Sequence, residues 1–221
     1  MSREPVRHRL QTDERRAQLL ELGLKLFSAR NYSEVSIDDI AREAGVSKGL
    51  LYHYFGGKRA FYVACVREAA ARLLDEIEPM TDLPPGQRAQ AGLEAYLNFV
   101  EQRASTFSAL MHGGLGADEE IHKLIQDTRD QIVERMVEEL GFEQPSEVFR
   151  MAARAWIGSV EAASLDWLER RQPPRAQLIT YLLGTLYASM RVAQHLDPRV
   201  EFESDPQVNA VMQVMLGLDK D

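Results

Sequence analysis

Apolar residues recur along this chain with the period of an α-helix, and the polar residues between them mark where helices begin and end. Leucines and one phenylalanine cover a broad arc of residues 12–29, which predicts a first helix with Thr12 as its N-cap. No segment shows the sustained apolar–polar alternation of a half-buried strand. The chain is therefore predicted to be all-α.

Two closely spaced helix starts lie between Ser36 and Lys58. Ser36 is a preferred N-cap residue, and Asp39 follows where a carboxylate can bond back to the cap amide. Ser47 repeats the start signal, and Gly45 can adopt the left-handed conformation that ends a helix. Two short helices separated by a turn of about three residues form a helix-turn-helix, which we predict over residues 36–55.

Glycine and proline divide the rest of the chain. Gly56 and Gly57 end the second short helix, and a linking helix is predicted over residues 58–77. The Pro-rich stretch 79–86 separates a domain at residues 1–78 from a helical domain at 86–218. Further helices are predicted at residues 87–103, 105–111, 118–140, 145–170, 175–195 and 206–216. Residues 1–11 are Arg-rich, which predicts an arm that either enters a minor groove or remains a solvated tail.

Charge is distributed unevenly along the 221 residues. The net charge of −8 at first argues against a nucleic-acid partner. Residues 1–59, however, hold 11 Lys or Arg against 8 Asp or Glu, whereas residues 60–221 hold 15 against 26. A basic head on an acidic body is expected when only one end of a protein approaches phosphate.

Composition excludes several classes of protein. A hydrophobic fraction of 45% is ordinary for a soluble globular chain with a sizeable core. Cys65 is the single cysteine, which excludes an internal disulfide, and its apolar surroundings predict a core residue. The sequence contains no signal-peptide pattern and no apolar run of membrane-spanning length, so we expect a cytoplasmic protein without a membrane partner.

At the helix-turn-helix the chain resembles a known family. The span from Arg15 to Val66 is similar to the DNA-binding domain of the tetracycline-repressor (TetR) family of bacterial transcription regulators. The residues that carry the resemblance are Ala17–Phe27, Ser36, Ile40, Ala41, Ala44–Gly49, Leu51, Tyr52, Tyr54, Phe55 and Lys58. The resemblance implies a three-helix DNA-binding domain and a C-terminal helical domain that binds a ligand and dimerises through its last two long helices. It also implies a double-stranded DNA operator as partner.

The motif assigns DNA-binding roles residue by residue. Phosphate contacts are predicted for Ser36, Ser47, Tyr52 and Lys58, groove-facing positions for Lys48, Gly49, Leu50 and His53, and either role for Tyr54. A lysine suits guanine acceptors, and a leucine can contact a thymine methyl. A histidine is a less usual base reader, and His53 could instead meet phosphate or solvent.

Small residues recur at helical spacing on both sides of Pro173 and Pro174. Small residues let helices approach closely, and a helical hairpin doubled about a two-fold axis gives a four-helix bundle. The predicted dimer-interface residues are Gly158, Ala162, Leu165, Leu182, Leu186 and Met190. The alternative is that these residues pack within one subunit.

The body also offers the residue types of a small-molecule site, namely an apolar lining with a few polar groups. The candidate effector-binding residues are Tyr96, Phe99, Phe107, Met111, His112, Trp156 and Glu161. Aromatic residues at helical spacing are also common in an ordinary core. Glu161 stands among apolar and small neighbours, where its carboxylate would be either a ligand anchor or part of an interface ion pair.

We expect no catalysis, no cofactor and no metal. The glycines near residue 113 are not followed by the Lys-Ser or Lys-Thr of a phosphate-binding loop, and the five histidines lack metal-ligand spacing. The predicted function is a homodimeric DNA-binding repressor that a small, largely apolar effector releases from a palindromic operator. The alternative is a helical interaction or scaffold protein that retains the helix-turn-helix head without operator specificity.

Overall fold

The computed structural model describes residues 4–30, 32–78, 83, 85–112, 118–139 and 146–197. None of these residues lies in a strand, which confirms the all-α class. The α-helices in the described residues are α1 (Glu4–Ala29), α2 (Ile37–Ala44), α3 (Lys48–Phe55), α4 (Lys58–Glu76), α5 (Pro85–Gln102), α6 (Ala104–His112), α7 (Glu119–Glu139), α8 (Glu147–Arg170) and α9 (Arg175–Leu196). One turn of 3-10 helix, Tyr32–Glu34, lies between α1 and α2.

Helices α2 to α9 begin and end within a few residues of their predicted positions, but α1 does not. It starts at Glu4 instead of Thr12, so the prediction of an arm over residues 1–11 is wrong from residue 4 onward. Pro5 lies in the first helical turn, where its missing amide hydrogen costs no bond, and Glu4 is favourable at this end of the helix dipole. The predicted helix at 206–216, the break at 113–116 and the helix end at Asn31 lie outside the described residues.

The chain divides into two compact units. The first comprises Met1–Arg72 and Arg103–Ile125, and the second comprises Leu73–Gln102 and Gln126–Asp221. This division groups residues 103–125 with the head, whereas the sequence assigned them to the second domain. One reason is Ile121, which is completely buried in the core of the first unit. The domain limits at residues 78 and 86 stay a prediction.

The core of the first unit joins α1 to α4 around the fully buried Phe61. Gly23 lets these two helices approach closely, since a Cβ atom at this position would lie 2.5 Å from the Sγ of Cys65. Cys65 is buried, as predicted, with its Sγ 3.7 Å from the carbonyl oxygen of Leu20. Burial raises the pKa of the Cys65 thiol because it disfavours the thiolate.

The second unit is built on the antiparallel hairpin of α8 and α9, against which α5 also packs. One of its core clusters joins Phe149 and Ile157 of α8 to Met190 of α9. Two indole groups tie the hairpin together: Nε1 of Trp156 donates to the carbonyl of Leu182 at 2.8 Å, and Nε1 of Trp167 donates to the carbonyl of Pro173 at 2.9 Å. Both bonds satisfy polar groups that burial would otherwise leave costly.

Candidate nucleic-acid interface

A capping box fixes the start of α2. The Oγ of Ser36 accepts a hydrogen bond from the amide of Asp39 at 3.0 Å, and the Asp39 carboxylate accepts one from the amide of Ser36 at 3.0 Å. Hydrogen bonds from the side chain and backbone of Ser36, with a further bond from Arg42, hold the pKa of Asp39 well below its usual range. These bonds confirm the predicted cap.

Serine and glycine also fix both ends of α3. The Oγ of Ser47 accepts from the amide of Leu50 at 3.2 Å, and Gly45 and Gly56 adopt left-handed conformations at φ 63° and 80°. Leu51 and Phe55 are buried in the first unit and Tyr54 packs partly against the same core, so the outer face of this eight-residue helix consists mainly of Lys48, Gly49, Tyr52 and His53. The tight turn and the caps therefore determine which side chains are presented outward.

The nine predicted DNA-binding residues lie together, between the N-cap of α2 and the first residue of α4. The exposed members are Ser36, Ser47, Lys48, Gly49, Tyr52 and His53, and the half-buried members are Leu50, Tyr54 and Lys58. Tyr52 is a large aromatic side chain with 47% of its surface exposed. A polar and aromatic outer face on a short helix suits entry into a major groove. Which of these residues touch DNA stays a prediction.

Lys48 already has a protein partner. Its Nζ donates to Oδ2 of Asp38 at 2.9 Å, although the two side chains are 49% and 65% exposed. The bond raises the pKa of Lys48 because it favours the charged ammonium. Asp38 is not among the residues predicted from the sequence to bind DNA. Its only signal there was a second carboxylate in the first turn of α2.

Lys58 also has an unpredicted neighbour. Its Nζ lies 4.1 Å from the centroid of the Tyr32 ring, a cation–π arrangement, and burial lowers the pKa of the lysine. Tyr32 in turn packs on the rings of Phe27 and Tyr62. The ammonium predicted to contact phosphate is thus oriented by an aromatic cluster that includes the 3-10 turn.

Within the first unit, an ion-pair network follows Lys58 along α4. Both Nε and a terminal nitrogen of Arg59 donate to the Asp118 carboxylate at 2.8 Å, and Arg59 also pairs with Glu120 at 3.0 Å. Asp118 accepts a further bond from the amide of Glu120 at 3.1 Å. Asp118 therefore stabilises the start of α7, as predicted, and also fixes the first turn of α4.

The turn between α2 and α3 has the spacing of a G-x-S-x-G nucleophile elbow, from Gly45 through Ser47 to Gly49. Such an elbow places its serine on a sharp turn from a strand to a helix. Here a helix precedes the serine, and the Ser47 hydroxyl caps α3. The spacing therefore serves a helix-turn-helix and not acyl transfer.

The predicted effector residues fall in two different units. Phe107, Met111 and His112 belong to the first, and Tyr96, Phe99, Trp156 and Glu161 belong to the second. Tyr96, Phe99 and Phe107 are buried, and Met111 and Trp156 are half-buried. The structure describes the backbone of His112 at the end of α6 but not its side chain. Neither unit therefore contains all seven of the predicted effector residues.

Glu161 has a partner within its own chain. Its two carboxylate oxygens accept from Arg129 of α7 at 2.6 and 3.1 Å, and both side chains are largely shielded from solvent. Nearby, burial raises the pKa of the Tyr96 hydroxyl, and the charge of Glu161 raises it further. The pair with Arg129 was not predicted, because these residues stand far apart along the chain.

The six predicted dimer-interface residues separate into two groups. Gly158 and Ala162 are exposed and Leu165 is half-buried, whereas Leu182, Leu186 and Met190 are buried within the single chain. The last three lie on the side of α9 that packs inside the subunit. Which of the six residues lie in a dimer interface stays a prediction. The large exposed apolar residues of this hairpin are Met151, Tyr181, Val192 and Leu196.

Two other kinds of site are not found in the described residues. None of the described helices combines the length and apolar character needed to cross a lipid bilayer. The described His, Cys, Asp and Glu side chains also form no group of three that could hold a metal ion.

A capped helix-turn-helix, with no strand among the described residues, is typical of helical DNA-binding transcription regulators. Residues 19–65 match the family described as "Bacterial regulatory proteins, tetR family", and residues 85–189 match "Tetracyclin repressor-like, C-terminal domain". The structure superposes with a TM-score of 0.79 on a tetR-family transcriptional regulator from Streptomyces coelicolor, at 32% identity over 94% of this chain and 99% of that one. The chain therefore belongs to the TetR family of DNA-binding transcriptional regulators.

Curated relatives cover most of the chain. The HTH-type transcriptional activator FasR of Mycolicibacterium smegmatis is 26% identical over 75% of this chain and 78% of its own length. The HTH-type transcriptional regulator BetI of Klebsiella pneumoniae is 29% identical over 82% of this chain and 94% of its own length. Both relatives are transcriptional regulators and not enzymes, which agrees with the class of function predicted for this chain.

Proposed function

We propose that this TetR-family regulator is a homodimeric repressor that binds a palindromic operator and leaves it when a small, largely apolar effector binds. The outer face of α3 carries the DNA-binding part of the proposal. There Lys48, Tyr52 and His53 are exposed while Leu51 and Phe55 anchor the helix in the core. Two copies of this face related by a two-fold axis would read two half-sites in successive major grooves.

The exposed face of the α8–α9 hairpin supports dimerisation. Met151, Gly158 and Ala162 lie on one exposed stripe of α8, and Tyr181 of α9 is 63% exposed. Nothing lies within 4 Å of a Cβ atom placed on Gly158, so this stripe is open to a second helix. We place the interface on this stripe and its apolar neighbours on α9, with Leu165 at its edge. Leu182, Leu186 and Met190 support it from beneath.

The Arg129–Glu161 pair supports an effector site in the second unit. A charged pair with little solvent around it, close to the buried Tyr96, provides polar groups inside this helical unit. A ligand that binds there would act by favouring a spacing of the two heads that does not match the operator. Phe99 and Trp156 are the apolar residues of this unit that we assign to the site.

Genomic DNA selection followed by affinity measurements tests the proposal. The protein should enrich a palindromic sequence and bind it at least a thousandfold more tightly than random DNA, with affinity falling steeply as salt rises. We expect Lys58→Ala to weaken binding to all sequences about equally and Lys48→Ala to change which base is preferred. Enrichment of no sequence would instead favour the scaffold alternative.

The direction of regulation requires its own test, since one relative, FasR, is named an activator. A reporter gene placed behind the selected operator should be expressed more strongly when the regulator gene is deleted. Reduced expression in the deletion strain would show activation and overturn the repressor proposal, while leaving the operator-binding proposal intact.

A further inference from the structure

We propose that Asp38 determines how strongly this regulator discriminates its operator from random DNA. Its carboxylate holds the Lys48 ammonium in a position from which Lys48 donates to the acceptors of a guanine base and not to any phosphate within reach. The inference rests on the proposed operator binding and adds to it a residue that acts through Lys48. Asp38 is a positioning residue in this scheme, not a base-contacting one.

The geometry places the two groups at the entry of the reading helix. Lys48 is the first residue of α3 and Asp38 the second residue of α2, and their 2.9 Å bond crosses the turn between the helices. A lysine carries its charge on four flexible methylene groups and can reach many acceptors. The bond to Asp38 limits the positions that this ammonium occupies.

Asp39, the neighbouring carboxylate, cannot do the same. Its Oδ2 accepts from the amide and hydroxyl of Ser36, and its Oδ1 accepts from Arg42. Asp39 therefore maintains the helix, and Asp38 is the acidic residue of this turn whose described bond goes to Lys48. The two adjacent aspartates thus have separate roles, so Asp38 can be replaced while Asp39 keeps the capping box intact.

The number of donors on an ammonium explains the discrimination. Lys48 has three N–H groups, so one can remain on Asp38 while the others donate to the O6 and N7 acceptors of a guanine. A phosphate contact would instead draw the ammonium toward a charge that repels the carboxylate. The neutral pair also adds little to counterion release, which drives binding to DNA of any sequence.

The test compares Asp38→Asn with Glu43→Gln, which removes an exposed carboxylate elsewhere on α2. Affinities for the selected operator and for a random duplex would be measured by fluorescence anisotropy across a salt series. We expect Asp38→Asn to raise the affinity for the random duplex roughly three- to tenfold and to steepen its salt slope by about one, as one additional phosphate contact predicts. Asp38→Glu, which keeps the carboxylate, should restore most of the discrimination.

A second comparison uses Lys48→Met. In that background, Asp38→Asn should change binding no more than Glu43→Gln does, because the cation that Asp38 positions is gone. The inference is overturned if Asp38→Asn still changes the operator-to-random ratio in the Lys48→Met protein, which would indicate that Asp38 contacts bases itself. It is also overturned if Asp38→Asn and Glu43→Gln have equal effects in the wild-type background. Failure of operator binding would differ from both, since the unmodified protein would then show no sequence preference.

Discussion

The helix-turn-helix and the α8–α9 hairpin are specified in different ways. Helices α2 and α3 have 8 residues each, and side chains and glycines within a few positions of their ends fix where they start and stop. Helices α8 and α9 have 24 and 22 residues and pack against each other. Short helices have few packing contacts, so capping contributes a larger share of their stability. The ends of α2 and α3 are therefore determined locally, whereas the hairpin depends on contacts between distant residues.

The two regions also differ in what they present to solvent. The outer face of α3 holds a paired lysine, a histidine and a half-exposed tyrosine, groups suited to a hydrated, charged partner. The outer face of the hairpin holds Met151, Tyr181 and Val192 beside the small residues of α8. Exposed apolar residues beside small ones suit a packed protein interface. One molecule thus offers two surfaces with different partner chemistry.

The largest effect is expected from a substitution in the core of the head, and it should change the stability of the head without changing that of the second unit. Phe61→Ala removes a fully buried ring from the head and should lower its free energy of unfolding by about 4 kcal/mol. Trp156 and Trp167 are the only tryptophans and both lie in α8, so tryptophan fluorescence follows the second unit. In a urea titration, the Phe61→Ala protein should lose DNA binding at a lower urea concentration than the wild type. The midpoint of its tryptophan fluorescence transition should stay unchanged.

Phe149→Ala is the matched control, because its ring is equally buried in the second unit. This variant should shift the fluorescence midpoint by a comparable amount. If Phe61→Ala moved the fluorescence midpoint as far as Phe149→Ala does, the two units would unfold together and the contrast between them would not extend to stability.

The next largest effect concerns the hairpin surface. Ala162→Arg places a charge on the exposed stripe of α8, and we expect it to weaken dimerisation at least about 100-fold, which is about 3 kcal/mol. Sedimentation velocity over a concentration series measures this change. Gln131→Arg adds the same charge to the exposed surface of α7 and should leave the dimer intact. A dimer that survives Ala162→Arg would move the interface away from α8.

An intermediate effect is expected at the shielded ion pair of the second unit. Arg129→Met leaves the Glu161 carboxylate, which is only 15% exposed, without its cation and should cost about 2 kcal/mol. Arg154→Met breaks the exposed pair with Asp130 and should cost less than about 1 kcal/mol. Denaturant titration measures both. Adding Glu161→Gln to Arg129→Met should recover part of the lost stability. Equal losses for Arg129→Met and Arg154→Met would contradict the view that shielding from solvent makes the first pair more important.

The smallest effect depends on pH and lies at the capping box. The folded state lowers the pKa of Asp39, so its charge stabilises the head above the unfolded pKa of about 4, and this stabilisation is lost as the pH falls through the lower folded value. The stability difference between wild type and Asp39→Asn should therefore be largest above about pH 5 and shrink in acid. Ser36→Ala removes the main hydrogen bond to the Asp39 carboxylate. In this variant the stabilisation by Asp39 should be lost at a higher pH than in the wild type. A difference that is constant from neutral pH to pH 3 would contradict this role.

Local signals predicted the head well. The caps at Ser36 and Ser47 and the glycines at positions 45 and 56 act within a few residues, so they can be recognised without knowing the fold. The exception is the start of α1. Arginine-rich composition suggested an arm there, but apart from Pro5 in the first turn no residue from 4 to 11 interrupts a helix.

Pairings between distant residues could not be predicted. Lys48 and Asp38 meet across a turn, and Arg129 and Glu161 meet across two helices, at separations along the chain that no periodic pattern encodes. Helical spacing identified Leu182, Leu186 and Met190 as one face of α9, but the same spacing serves a subunit core and a dimer interface. Only the packing of α9 within the chain decides that this face is internal.

The burial of Ile121 among residues of the head has a consequence for recombination. A head separated from the chain at residue 78 would lack Ile121 and its neighbours Leu124 and Ile125, and would expose the apolar surface that they cover. A chimera that exchanged heads between two relatives would therefore need to transfer residues 103–125 with them. In this protein the structural unit that carries the helix-turn-helix is built from two separate segments of the chain. A gene fusion that joins fragments at a single point after α4 would divide this unit.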